Sequence, residues 1–175
     1  MRESIRHVVI TGEVGAGKST ALRAALSLLG VPAQGVETYA PEARGVYPRH
    51  LHIRPFGGGE RGVPFAVVPG GDAQTAAAVF DGEGVRLLQQ ARESGAPLIA
   101  VDECGRLERC AGAYQLALRA CLDGDTPMLI ALRLHKAEWA DFIRSHPRAA
   151  LIEVTPQNRD AVPEMVCRML RRAME

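Results

Sequence analysis

A three-layer α/β fold built on a mainly parallel sheet is predicted from three observations on this sequence. Short apolar runs alternate with helix-spaced apolar patterns, the first run empties into a glycine-rich turn that opens a helix, and a later run ends on two adjacent carboxylates. Strands separated by helices pair in parallel and bury both faces of their sheet beneath those helices.

Taken in chain order, Ile5 to Ile10 is a β-branched run ending at Thr11-Gly12, and Leu22, Ala25, Leu26 and Leu29 then recur at helical spacing. Gly30 suits the C-cap of that helix, and Pro32 lies just past it. From Val31 to Pro69 the composition shifts toward Pro, Gly and Arg. Two short apolar runs, Leu51 to Phe56 and Val63 to Val68, flank Gly57-Gly58-Gly59 and predict an antiparallel hairpin, with Pro55 and Pro64 marking an edge. Residues 35–69 are therefore expected to form an inserted flap. Asp72 is placed to cap a helix from Ala73 to Phe80, and a second helical pattern through Val85, Leu88 and Ala91 stops at Gly95 before Pro97. Leu98 to Val101 reads as a buried parallel strand. Helices are expected at Ala113 to Leu122, Ala137 to Ile143 and Pro163 to Ala173, with strands at Met128 to Leu134 and Ala150 to Val154.

Bulk composition narrows the function classes. With 47% hydrophobic residues over 175 positions, the chain is long enough for one substantial core, and a single domain over 1–175 is expected. Twenty-one basic and 20 acidic residues leave a net charge of +1, so no field draws the molecule onto nucleic acid or an anionic membrane. Aromatic residues, at 5%, leave little for stacking bases. The first residues lack the long apolar stretch of a signal peptide or membrane span, which makes the cytoplasm the expected location. Cys104, Cys110, Cys121 and Cys167 do not follow a paired zinc-ligand spacing and read as reduced residues. His50 and His52 share a strand face, but no third metal ligand stands near them.

The chemistry concentrates in Gly12-Glu13-Val14-Gly15-Ala16-Gly17-Lys18-Ser19, which meets every fixed position of the phosphate-binding Walker A pattern. Its glycines let backbone N–H groups turn inward around phosphates, and the helix N-terminus adds partial positive charge. In this reading Gly12 to Thr20 binds the nucleotide, Lys18 reaches the outer phosphates, and the Ser19 hydroxyl ligates Mg²⁺. The fold class is thus refined to a P-loop NTPase fold carrying an inserted antiparallel hairpin. The chain has nineteen arginines but only two lysines, Lys18 and Lys136. A lysine stands in the cradle, where a compact ammonium fits and a planar guanidinium does not.

Leu98 to Val101 delivers Asp102 and Glu103 at its C-terminal end, the end at which open α/β sheets bind ligands. Asp102 is the expected Mg²⁺ partner, and Glu103 the residue that polarises an attacking water. The developing charge on the γ-phosphate also needs a cation, for which Arg44, Arg49 and Arg106 are candidates, Arg44 first. Trp139, one turn before Ile143, reads as core packing.

Beyond these motifs, Val101-Asp102-Glu103-Cys104-Gly105-Arg106-Leu107-Glu108 resembles the Asp-Glu-Ile-Gly-x-Met-Glu segment of the THEP1-type, or cancer-related, nucleoside-triphosphatase family. Cys104 replaces the isoleucine and Leu107 the methionine. Val154-Thr155-Pro156-Gln157-Asn158-Arg159-Asp160 is similar to the family's Val-Thr-x-x-Asn-Arg signature, and Gly30 to Gly35 and Thr38 to Arg44 resemble its segment after the first helix. The resemblance implies Mg²⁺-dependent hydrolysis of ATP, GTP and other triphosphates to diphosphate and phosphate. It also implies that Asn158 and Arg159 lie beside the base or else cap the last helix. The family's Arg-x-Gly-Phe segment is altered here to Gly45-Val46-Tyr47-Pro48-Arg49-His50.

Two other functions fit the same motifs. One is a nucleotide or small-molecule kinase, whose flap closes over an acceptor and excludes water. The other is a binding switch whose slow turnover times contact with a protein partner. Glu103, directly after Asp102, favours hydrolysis.

Overall fold

The computed structural model describes residues 4–59, 61–135 and 137–175. Lys136, one of the two lysines, and Glu60, near the expected hairpin turn, lie outside the described residues. A seven-stranded sheet runs in the order β4-β3-β2-β5-β6-β1-β7. Its strands are β1 (His7–Gly12), β2 (Ala33–Tyr39), β3 (Arg49–Pro55), β4 (Val63–Val68), β5 (Leu98–Cys104), β6 (Met128–Arg133) and β7 (Ala149–Glu153). β2, β5, β6, β1 and β7 are parallel, while β3 and β4 extend one edge antiparallel.

Side chains alternate across the sheet and create a core on each face. Val8, Ile10, Leu98, Leu129 and Ala131 face α1 (Lys18–Leu29) and α6 (Val162–Met174), which supply Leu22, Ala25, Val166 and Leu170. Val9, Ile99, Val101, Ile130 and Leu132 face the opposite way, toward Phe80, Leu88, Tyr114 and Leu118. Those residues come from the remaining helices, so helices cover the sheet on both sides and the three layers are as predicted.

Asp72 does cap α2 (Ala73–Val79), accepting from the Thr75 N–H at 3.0 Å. The two helices expected on either side of Gly82 are instead one continuous helical path. α2 passes through a π-helical turn, Phe80–Gly84, into α3 (Val85–Glu93). Gly84 lets the ring of Tyr114 close against the backbone, where a Cβ would collide with it. The same turn projects Asp81, whose Oδ1 accepts from the Tyr114 N–H at 2.9 Å. This carboxylate therefore satisfies a first-turn donor of α4 (Gly112–Leu122), which has no side-chain cap of its own. Asp81→Ala is expected to cost about 1 kcal/mol, read as a lower urea midpoint at unchanged slope.

Two further expectations are corrected. Ala137 to Ile143 is not one helix but a 3₁₀ turn, Glu138–Ala140, followed by the single turn α5 (Asp141–Arg144). The antiparallel hairpin expected within the inserted flap, residues 35–69, is present as β3 and β4, but the segment before it is sheet: 33–39 form β2, paired to β5 from Ala33↔Leu98 to Glu37↔Asp102, and the hairpin continues the sheet from there. Gly35 makes that pairing fit, since a Cβ there would overlap the Ala100 carbonyl.

Candidate active site

The parallel registers align Glu37 with Asp102, Asp102 with Ala131 and Gly12 with Arg133. The C-terminal ends of β2, β5, β6 and β1 therefore converge, and the expected site residues lie there. Between β1 and α1 the chain turns through Gly15 at φ 84° and Gly17 at φ 104°, conformations that favour glycine. Gly17 directly precedes α1, so the first helical N–H groups open into the loop.

Lys18 is buried, and its Nζ donates to the carbonyls of Gly12 and Glu13, both at 3.0 Å. The same Nζ lies 3.8 Å from Glu103 Oε2. Ser19 Oγ donates to Asp102 Oδ1 at 2.7 Å. Asp102 is otherwise enclosed, and burial pushes its carboxyl above the usual range while the Ser19 hydroxyl and Arg23 pull it back. Arg23 Nη2 lies 3.6 Å from Asp102 Oδ2 and 2.6 Å from Glu37 Oε2. Arg54 pairs with the other Glu37 oxygen at 2.5 Å and lies over the Tyr39 ring at 4.0 Å. This chain of charges fixes the carboxylate that faces Ser19.

Lys18, Ser19 and Asp102 line a cleft of about 380 Å³, into which Val14, Gly15, Gly17 and Thr20 also open from the loop. Asp102, Glu103, Arg44 and Arg49 face it from other elements. Gly12, Glu13 and Ala16 form the base of the loop: Ala16 N–H donates to the Glu13 carbonyl at 3.1 Å, and Gly12 packs on the Val154 carbonyl. The Glu13 side chain turns outward to His135.

Arg44 comes from the loop 40–48 and presses its guanidinium against Gly15, leaving no space for a Cβ there. Arg49 lines the cleft with a buried Nε that has no hydrogen-bond partner among the described residues. Arg106 is placed elsewhere, donating to the Gly71 carbonyl at 3.0 Å. Asn158 also stays outside the cleft lining: its Oδ1 accepts from Thr155 N–H and its Nδ2 donates to the Glu153 carbonyl, both at 2.8 Å. It closes the turn after β7. Arg159 is exposed beside that turn.

Sequence reasoning missed Arg133, whose Nε is 3.6 Å from Glu103 Oε1. A signal was available, because Arg133 ends an apolar parallel strand just as Asp102 does. Thr38 and Tyr39 were missed together with β2. Trp139, expected as packing, packs against the core and also donates Nε1–H to the Gly105 carbonyl at 2.7 Å, bracing the turn after Glu103.

Within that turn Glu108 is buried, accepts from Gly105 N–H at 3.1 Å, and is lifted by burial to about 7. Buried His7 is pushed the other way, to about 4 from 6.5, and its neutral ring accepts from Met128 N–H while donating to the Leu122 carbonyl. Between pH 4.5 and 7 the folded protein keeps the Glu108 proton that the unfolded chain has lost, so this group's contribution falls as pH rises. His7 contributes fully above pH 6.5 and loses that contribution as pH falls toward 4, so the two slopes oppose. Relative to the parent, Glu108→Gln should gain stability as pH rises across that shared window, by up to about 1.4 kcal/mol per pH unit. Urea unfolding across the window reads this directly.

The model of the NTPase family matches residues 7–167. This chain belongs to the NTPase family. The nucleoside-triphosphatase THEP1 of Natranaerobius thermophilus is 24% identical over 172 residues, covering 94% of this chain and 96% of that protein. The crystal structure of THEP1 from the hyperthermophile Aquifex aeolicus superposes with a TM-score of 0.76 at 24% identity, covering 95% of this chain and 99% of that one. The solution structure of a human cancer-related nucleoside triphosphatase gives 0.65 at 24% identity, over 92% of this NTPase and 95% of its own chain. Both solved structures share its fold.

Proposed function

We propose that this NTPase hydrolyses nucleoside triphosphates to diphosphate and phosphate with Mg²⁺, acting as one domain in the cytoplasm. The observation that carries the reading is the placement of Glu103 beside the phosphate lysine, 3.8 Å from Lys18 Nζ, in the cleft where Ser19 meets Asp102.

The loop N–H groups and Lys18 hold the triphosphate, and Lys18 exchanges its two carbonyl partners for phosphate oxygens. Ser19 and Asp102 fit a divalent cation: both are hard oxygen donors, and their contact brings them within reach of one ion. They would hold Mg²⁺, which supplies charge neutralisation to the phosphates when bound. Glu103 orients the attacking water and takes its proton, with Arg133 steadying the other carboxylate oxygen. Arg44 and Arg49 are the candidates to stabilise charge on the transferred group. With Asn158 committed to the turn after β7, Arg159 is the better candidate to lie beside the base. All four cysteines are free, which fits a reducing compartment. No described helix is long and apolar enough to cross a membrane.

The test is phosphate release from ATP, GTP, CTP and UTP with Mg²⁺ and with the ion chelated. Steady release that stops on chelation is expected. Tight triphosphate binding without release from any of the four would overturn hydrolysis and favour a switch timed by a partner.

A further inference from the structure

Beside the phosphate cleft lies a second, open pocket of about 130 Å³. Thr38, Leu51, Glu103 and Arg133 line both spaces. Its remaining lining includes apolar Phe65, Val68 and Leu107 together with polar Arg106 and Glu108. A hydrolase needs room there for one water, whose share of liquid volume is about 30 Å³. The pocket is several times larger, so it has room for a small molecule beside Glu103. Its polar lining includes Arg133, whose buried Nε has no hydrogen-bond acceptor among the described residues and is ion-paired with Glu103 Oε1 at 3.6 Å.

We infer that this pocket binds a small alcohol of roughly six non-hydrogen atoms and that the enzyme transfers the terminal phosphoryl group to it. The inference rests on the triphosphate reading of the adjoining cleft. The apolar part of the acceptor lies against Phe65, Val68 and Leu107, and its hydroxyl reaches Glu103 at the common wall. That oxygen attacks the γ-phosphorus and its proton passes to the Glu103 carboxylate. The bond from the γ-phosphorus to the bridging oxygen breaks, and its electron pair leaves with the nucleoside diphosphate. The products are a phosphate monoester and the diphosphate, with water as the competing nucleophile.

The test uses the full chain, Mg²⁺ and triphosphate labelled at the γ-phosphate, with increasing 1,4-butanediol, glycerol or 4-hydroxybutyrate. The first two probe a neutral acceptor, and the third one whose carboxylate pairs with Arg106. The ratio of labelled monoester to labelled inorganic phosphate is expected to rise and saturate with at least one probe. Val68→Trp, which fills the pocket, should lower that ratio at least tenfold, and Val68→Leu should lower it less. Because the ratio is internal, a change in total activity does not affect it. Inorganic phosphate alone with all three probes would overturn the inference and leave hydrolysis standing. A ratio that rises linearly and is the same in both variants would also overturn it, marking unselective solvolysis. Loss of both products in the parent would overturn the triphosphate reading as well.

Discussion

Lys18→Ala is expected to abolish phosphate release and to weaken triphosphate binding by at least tenfold, the largest loss from any single change in this molecule. The buried Nζ is suspended between two loop carbonyls at 3.0 Å, which places a cation where the proposed function brings the outer phosphates. Charge-assisted contacts from an ammonium are worth about 1.5–3 kcal/mol each, and a truncated side chain supplies none. Lys18→Arg should rescue little, because a planar guanidinium does not fit between those carbonyls as a compact ammonium does. Calorimetric titration with a non-hydrolysable triphosphate separates lost affinity from lost turnover. Near-parental release by Lys18→Ala would remove the loop from the mechanism.

Glu103→Gln should behave differently, keeping triphosphate affinity while lowering hydrolysis by about 10²–10⁴-fold, the usual contribution of a positioned general base. The amide preserves shape and can still orient water, but it cannot accept a proton. Affinity should hold or rise slightly, since a carboxylate 3.8 Å from the phosphate lysine repels incoming phosphates and glutamine does not. Single-turnover hydrolysis beside equilibrium binding distinguishes the two effects. If both fall together, Glu103 supports the cleft and does not act as the base.

The parts of this site legible in the sequence are those whose chemistry is local. The glycine loop needs its residue types at fixed spacing, and Asp102-Glu103 announces itself by closing an apolar run. The structure places the loop between β1 and α1 and the two carboxylates near the end of β5. β2 was obscured by its own function: Gly35 is required by the approach to Ala100, and Glu37 is a buried charge balanced by Arg23 and Arg54 from distant positions. Neither feature reads as a strand until its partners are known. The continuous path from α2 to α3 was hidden similarly, because Asp81, Gly82 and Gly84 look like a helix break until Tyr114 is seen to need both the carboxylate and the missing Cβ.

Arginine placement was the least legible feature. Nineteen arginines offer many candidates, and only long-range packing selects among them. Arg44 reaches Gly15 because β2 and β3 bring the loop 40–48 over the phosphate loop, and Arg133 reaches Glu103 because β5 and β6 are adjacent. The glycine turn of the hairpin, Gly57 to Gly59, is absent from the cleft lining. A closing element would therefore be sought in the loop that carries Arg44.

Hydrolysis in heavy-oxygen water, with the products weighed by mass spectrometry, tests the central claim most directly. Attack by a water held at Glu103 on the γ-phosphorus places the label in inorganic phosphate and leaves the nucleoside diphosphate unlabelled. Label in the diphosphate, or release of pyrophosphate in place of phosphate, would contradict the account.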